Sequence, residues 1–241
     1  DSSSWHGTKI AGIIGAAANN DLGMAGTAWG VKILPVRVLG KCGGYDSDIQ
    51  AGMRWAAGLN VPGVPLNPNP ARIVNLSLGG SGDCNAATGY PRVIAELRDA
   101  GTTVVAAAGN SAGHAVELPA NCPGVIAVAG LRHVGSKVGF SDLGAPIAIS
   151  APAGNCVNIG VDEPCLYPIL SSSNSGMQRP NAGGSIWTDG IDFNVGTSFA
   201  APIVAGTAAL MLSARPQLLP EELRNLMQAS ARAFPTTGAG L

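Results

Sequence analysis

Charge is what this sequence has least of. Asp, Glu, Lys and Arg make up 12% of its 241 residues, and the formal net charge is -1. Nucleic acids and anionic membrane surfaces are held by basic stripes, and with 14 lysines and arginines in the whole chain neither is expected as a partner. Clean apolar runs long enough to span a bilayer are also wanting. The best candidate, residues 199–212, is broken by Gly206 and Thr207 and carries Pro202 near its start, so a soluble protein is expected. No leader is expected within these residues: they open on Asp1-Ser2-Ser3-Ser4 and stop in mid-pattern at Gly238-Ala239-Gly240-Leu241, which reads as a processed or cut chain. Five cysteines in a lysine-poor chain suit an oxidising compartment, secreted or periplasmic, and their odd number leaves one over.

What is present suits one α/β domain with a real core. Ile10, Ile13, Ile14 and Ala17 recur at helical spacing, with His6 just before that helix or in its first turn. Residues 31–39 read as a strand, although Pro35 removes a ladder donor. Helices are expected over 47–58, 90–101 and 220–232, and strands over 72–78, 102–107, 125–129 and 147–150. The 102–107 run is apolar and β-branched, as in strands buried on both faces. Strands alternating with helices imply a mostly parallel sheet covered on both sides, with ligands at the carboxyl ends of its strands. Ser77-Leu78-Gly79-Gly80 and Ala108-Gly109-Asn110 fall there. Residues 155–194 are polar and glycine-rich, a long loop region with hairpins at most.

Gly196-Thr197-Ser198-Phe199-Ala200-Ala201-Pro202 is the stretch around which the rest is organised. A flexible glycine precedes a hydroxyl, and an apolar helix follows. Pro202 is expected in the first helical turn, where no intrahelical N–H is lost. Ser198 therefore belongs at a helix N-terminus, where free N–H groups favour developing negative charge. A plain serine cap on a core helix is the alternative.

Together, His6-Gly7-Thr8, Ala107-Ala108-Gly109-Asn110 and Gly196-Thr197-Ser198 with Ala201-Pro202, in that order, resemble the subtilisin-like serine proteases, the subtilases. The resemblance spans nearly the whole chain, including Val36-Arg37-Val38-Leu39-Gly40, Asn75-Leu76-Ser77-Leu78-Gly79 and Pro119-Ala120-Asn121-Cys122. It implies an α/β fold of three layers, a mostly parallel β-sheet with helices on both faces, as a single catalytic domain over residues 1–241 that lacks its first strands and is incomplete at both ends. It also implies a serine endopeptidase with Ser198 as nucleophile, His6 as general base and acid, and Asn110 with the Ser198 N–H as oxyanion donors. No cofactor is expected for catalysis. An esterase with the same nucleophile logic is disfavoured, since the stretch lacks a Gly-x-Ser-x-Gly elbow.

By the same resemblance an extended polypeptide substrate lies against main chain. Ser77, Leu78 and Gly79 form one side of the first specificity pocket, Ala107, Ala108 and Gly109 the other, and Gly43 and Gly44 with Tyr45 the opposite edge. With Ser111 and Ala120 nearby, the pocket is expected to be uncharged and to prefer apolar side chains. The turn Asn19-Asn20-Asp21-Leu22-Gly23-Met24 looks like the family's calcium loop, with the carbonyls of Ala18, Leu22 and Met24 and the Asn20 amide oxygen as ligands to a structural calcium; a plain Asn/Gly turn is the alternative. A propeptide outside this chain is a further possible partner.

Departures from the family pattern are equally legible. The catalytic aspartate should lie upstream of the histidine, and Asp1, five positions before His6, is too close to be that residue. The strands flanking 31–39 are missing with it, leaving backbone groups expected to be unpaired inside the protein, each costing roughly 1–3 kcal/mol. The chain as written is therefore not expected to be an independently stable, active protease, and a catalytically inactive relative that binds extended peptides is the alternative function. Lys9 and Ile203 stand where histidines are usual, and Asn194-Val195 shifts the usual order before the nucleophile. His114 and His133 are expected at the surface. Among the cysteines, Cys42–Cys84 and Cys122–Cys156 are the favoured pairs, with Cys156–Cys165 as the local alternative.

Overall fold

The computed structural model describes residues 3–155, 167–190 and 194–234. Four parallel strands, β1 (Ile73–Leu76), β2 (Thr103–Ala107), β3 (Val125–Leu131) and β4 (Ile147–Pro152), lie in the order β1-β2-β3-β4. Helices α1 (His6–Gly15), α2 (Asp46–Ala56), α3 (Tyr90–Asp99), α4 (Thr197–Ala214) and α5 (Pro220–Ser230) surround this sheet, and β5 (Ser171–Asn174) and β6 (Ser185–Thr188) make an antiparallel hairpin.

Successive strand side chains point to opposite faces, and this alternation builds two cores. Val104 and Ala106 face Ile49 and Met53 of α2 and Val93, Ile94 and Leu97 of α3. Val105 and Ala107 face Ala201, Val204 and Ala205 of α4 and Leu223 and Met227 of α5. Every residue of β2 is buried, as its apolar run requires. The result is the three-layer α/β arrangement expected from the sequence. By length and composition α4 would suffice to cross a membrane, contrary to the reading of its sequence, but half of it is buried inside the protein, and its apolar character is used against the sheet and α1.

Three expectations need correction. Residues 31–39 form no ladder, and among the described residues no strand pairs with them. Their backbone is not sealed inside the protein either: Leu34, Val36 and Val38 are half-buried while Lys32, Ile33, Pro35, Arg37 and Leu39 are exposed, so water can satisfy their polar groups. Pro202 is the sixth residue of α4, not a first-turn residue. The helix tolerates it because the Ser198 carbonyl, which a non-proline N–H would have taken, accepts the Ser77 hydroxyl at 2.7 Å.

The disulfide joins Cys84 to Cys122, so neither favoured pair forms. The loops after β1 and before β3 are zipped together by the Gly80–Leu118 bridge and by Asn121 Nδ2 donating to the Gly82 carbonyl at 2.8 Å, which brings the two Cα atoms to 5.1 Å. That is within bridging range. Cys42 is free and exposed; Cys156 and Cys165 lie outside the described residues.

Candidate active site

Three loop tips meet at the carboxyl end of the sheet. Trp5, held in a left-handed turn at φ 52°, leads into α1 and donates its indole N–H to the Gly176 carbonyl at 2.7 Å. This anchor sets His6 as the first residue of α1. The imidazole stands edge-on to the Phe199 ring, with centroids 6.0 Å apart, beside the start of α4. Its pKa is lowered, first by burial and then by the charge of Lys9. Lys9 is itself buried, which lowers its own pKa.

Gly196 caps α4 and Ser198 is the second helical residue, so its N–H lacks an intrahelical acceptor. Ser198 Oγ lies 3.4 Å from the Ser77 carbonyl. No hydrogen bond joins it to His6 among the described residues; the two share a rim through Phe199. Looseness of this kind is common in sites without substrate.

Asn110 follows β2 and is tied to α4 by its side-chain oxygen. Oδ1 accepts the Thr197 N–H at 2.8 Å and faces Thr197 Oγ1 at 3.1 Å. A donor at Oδ1 fixes which way the carboxamide points, and leaves Nδ2 to donate outward. Gly196 has φ 137°, and a β-carbon there would lie 3.6 Å from Asn110 Nδ2 and 3.8 Å from the Ser198 nitrogen. The Asn110 carboxamide and the Ser198 nitrogen therefore both border the face that Gly196 leaves uncovered. An alkoxide or oxyanion fits there electrostatically. Thr197 was not singled out in the sequence, although it is fully buried and also accepts the Gly109 N–H at 3.2 Å; its position next to a nucleophile was the available signal.

Ser77, Leu78 and Gly79 run on from β1, and Ala107, Ala108 and Gly109 from the end of β2. Both strips are hooked to the start of α4, one through Ser77 and Ser198, the other through Asn110 and Thr197. The gap between them is not free of charge, contrary to expectation. A β-carbon on Gly79 would lie 3.1 Å from Glu117 Oε2, and one on Gly109 would lie 2.9 Å from Glu117 Cδ and closer still to Asp142 Oδ2. The reason is a loop return that local sequence does not announce: the Glu117 N–H donates to the Ala108 carbonyl at 2.9 Å and the Asp142 N–H to the Gly109 carbonyl at 3.1 Å.

Gly43 and Gly44 lie in the turn that leads into α2. Gly43 closes a turn with Gly40, its φ of 102° requiring glycine, and Tyr45 beside them is exposed. No hydrogen bond joins that turn to the rim among the described residues. The loop carrying Ala18, Asn20, Leu22 and Met24 surrounds a hollow and packs against Trp187 of β6, whose ring occupies the space a side chain at Gly23 would need. Asn20 Oδ1 accepts the Leu22 N–H at 3.2 Å, one of its two lone pairs. The donor set is oxygen-only, as a calcium site requires, and no group of three His, Cys, Asp or Glu gathers among the described residues. His114 and His133 are both exposed, as expected, and His133 stacks on Tyr167 with ring centroids 3.8 Å apart.

Comparison with known proteins gives a consistent result. The peptidase S8 profile, described as the subtilase family, matches residues 1–240. An extracellular protease of Xanthomonas campestris is 44% identical over 241 residues, 99% of this chain and 38% of its own length. Subtilisin DY of Bacillus licheniformis is 31% identical over 94% of this chain and 70% of its own. A solved structure of proteases from Pseudoalteromonas arctica superposes with a TM-score of 0.88 at 41% identity, covering all of this chain and 68% of that one. The chain spans well under half the length of the first curated relatives it matches, including an extracellular basic protease of Dichelobacter nodosus at 36%.

Proposed function

The chain belongs to the subtilase family, and from that premise we propose that it is the catalytic portion of a secreted serine endopeptidase. Ser198 Oγ attacks the scissile carbonyl carbon, His6 takes the hydroxyl proton, and the carbonyl oxygen gains charge between Asn110 Nδ2 and the Ser198 N–H. His6 then returns the proton to the leaving amine, giving an acyl-Ser198 that water hydrolyses. The observation that carries this reading is the tethered carboxamide: Thr197 holds Asn110 Oδ1, and a β-carbon on Gly196 would touch that carboxamide at 3.6 Å and the Ser198 nitrogen at 3.8 Å. The lowered pKa of His6 adds support, because a neutral imidazole can accept a proton. The secretion assignment draws on relatives named extracellular proteases.

The decisive experiment is labelling with a fluorophosphonate. The protein expressed from its complete gene should be labelled at Ser198, lose labelling in Ser198→Ala, and cleave an unfolded polypeptide; no labelling at Ser198 would overturn the protease reading. A peptide-binding, non-cleaving relative is the second reading. It is favoured by one observation, that no carboxylate partners His6 among the described residues. On that account the 241-residue chain alone should hydrolyse slowly, by analogy with the roughly 3 × 10⁴-fold loss of turnover when subtilisin loses only its aspartate. The carbonyls of Ala18, Leu22 and Met24 with the Asn20 amide oxygen would hold a calcium ion, adding charge and rigidity to that loop and no step to the chemistry.

A further inference from the structure

Among the described residues, neither Glu117 nor Asp142 has an ion-pair partner. The described ion pairs all involve other residues, Arg54 and Arg92 with Glu96 and Arg98 with Asp99. Asp142 is fully buried; its Oδ1 accepts the Ser111 N–H at 2.9 Å, while Oδ2 is buried without a hydrogen-bond partner. Glu117 is half-buried, and among the described residues its one side-chain hydrogen bond is a long one, 3.3 Å, from the Ser111 hydroxyl. A buried carboxylate oxygen with no donor is costly, and a second carboxylate nearby adds repulsion. Such an arrangement is explained when a cation completes it.

The place of the two acids says which cation. Both converge on Gly109, and Glu117 also reaches toward Gly79, so they stand between the two strips that hold the pocket nearest Ser198. Those strips are tied by hydrogen bonds to the first residues of α4, so the acids have a set position relative to the nucleophile. An extended polypeptide whose scissile carbonyl sits between Asn110 and Ser198 would send the preceding side chain into this gap. We propose that Glu117 and Asp142 make the pocket selective for a lysine or arginine side chain on the acyl side of the scissile bond. The inference rests on the protease reading above and specifies its substrate. Half-buried Glu117 is the carboxylate a side chain in the gap can reach, with buried Asp142 adding negative charge behind it; a carboxylate takes a forked guanidinium in two parallel hydrogen bonds, which a point charge cannot match, so arginine should lead. A divalent metal is the less fitting guest, since no third acid, histidine or cysteine joins the pair among the described residues.

The test uses the protein expressed from its complete gene and a set of peptide substrates differing only at the residue before the scissile bond. Arginine should be preferred over phenylalanine or leucine by about tenfold or more in kcat/KM. Glu117→Gln should lower kcat/KM for arginine by a similar factor and leave the phenylalanine substrate equal or faster, with Ser198 labelling intact. Asp142→Asn reads the same ratio should Glu117→Gln fail to fold, and the wild-type profile needs no variant at all. An apolar preference in the wild-type protein overturns the inference, as does an arginine-to-phenylalanine ratio unmoved in a folded Glu117→Gln. An arginine preference seen in EDTA and abolished by millimolar calcium also overturns it, because the acids would then be a metal site. These failures differ from failure of the protease reading itself, which shows as absence of Ser198 labelling and of cleavage with every substrate.

Discussion

The Ser77 hydroxyl donates a 2.7 Å hydrogen bond to the main-chain carbonyl of Ser198, 121 residues away. That carbonyl is free because Pro202, four residues further on, has no N–H to give it. One contact therefore repairs the defect that proline makes in α4 and fastens the chain after β1 to the peptide unit of Ser198. Asn75 Nδ2 in turn donates to Ser77 Oγ at 3.0 Å, holding the hydroxyl in place.

Ser77→Ala should cost about 1–3 kcal/mol, the penalty of stranding a partly buried acceptor, measured by urea titration. Pro202→Ala would supply the absent N–H, so the double variant Ser77→Ala with Pro202→Ala should be less destabilised than the sum of the two single changes. Strict additivity would show that the hydroxyl and the proline are energetically unrelated.

Gly196→Ala should slow reactivity at Ser198 by more than its loss of stability accounts for. The residue has φ 137°, and its β-carbon would touch the Asn110 carboxamide and the Ser198 nitrogen. Fluorophosphonate labelling should slow well beyond the fall in melting temperature. Asn110→Leu should lower kcat by roughly 10²–10³, the loss known from removing such a donor in subtilisin. Equal kcat in the Leu variant would remove Asn110 from the chemistry.

The titration of His6, followed by NMR of its imidazole protons, should lie below the ordinary histidine value. Burial is the larger cause and Lys9 the smaller, so Lys9→Met should raise it only part of the way back. In the unfolded chain histidine titrates near about 6.5. Between that pH and the lower folded value the unfolded chain holds more protons, so this group's contribution to stability is complete above about pH 6.5 and is lost as pH falls toward the folded value. A His6 that titrates above its unfolded value would contradict the burial seen here.

Removing the Cys84–Cys122 bridge as a Cys84→Ala, Cys122→Ala pair should lower stability by about 4 kcal/mol, the loop-entropy expectation for a 38-residue separation. Cys42→Ala should cost little, since that thiol is exposed and unpaired. A chemical denaturation series on the two variants separates these outcomes.

The residues proposed for the chemistry could be picked out because the signals for them are local. A histidine opening one helix, a serine one residue into another and an asparagine just past a buried strand are written in short stretches with the right periodicity beside them. The alternation of strand and helix implied the layers for the same reason, and the element boundaries fell within a few residues of the expected ones. What depended on loops returning across the sheet could not be read from spacing. The partner of Cys84, the hydroxyl that compensates Pro202, and the failure of residues 31–39 to join a ladder were all decided by which segments came to lie side by side. The placement of Glu117 and Asp142 belongs to this second group: both sit in unremarkable loops along the chain, and only the hydrogen bonds of their own backbone to Ala108 and Gly109 bring two carboxylates together beside Gly109.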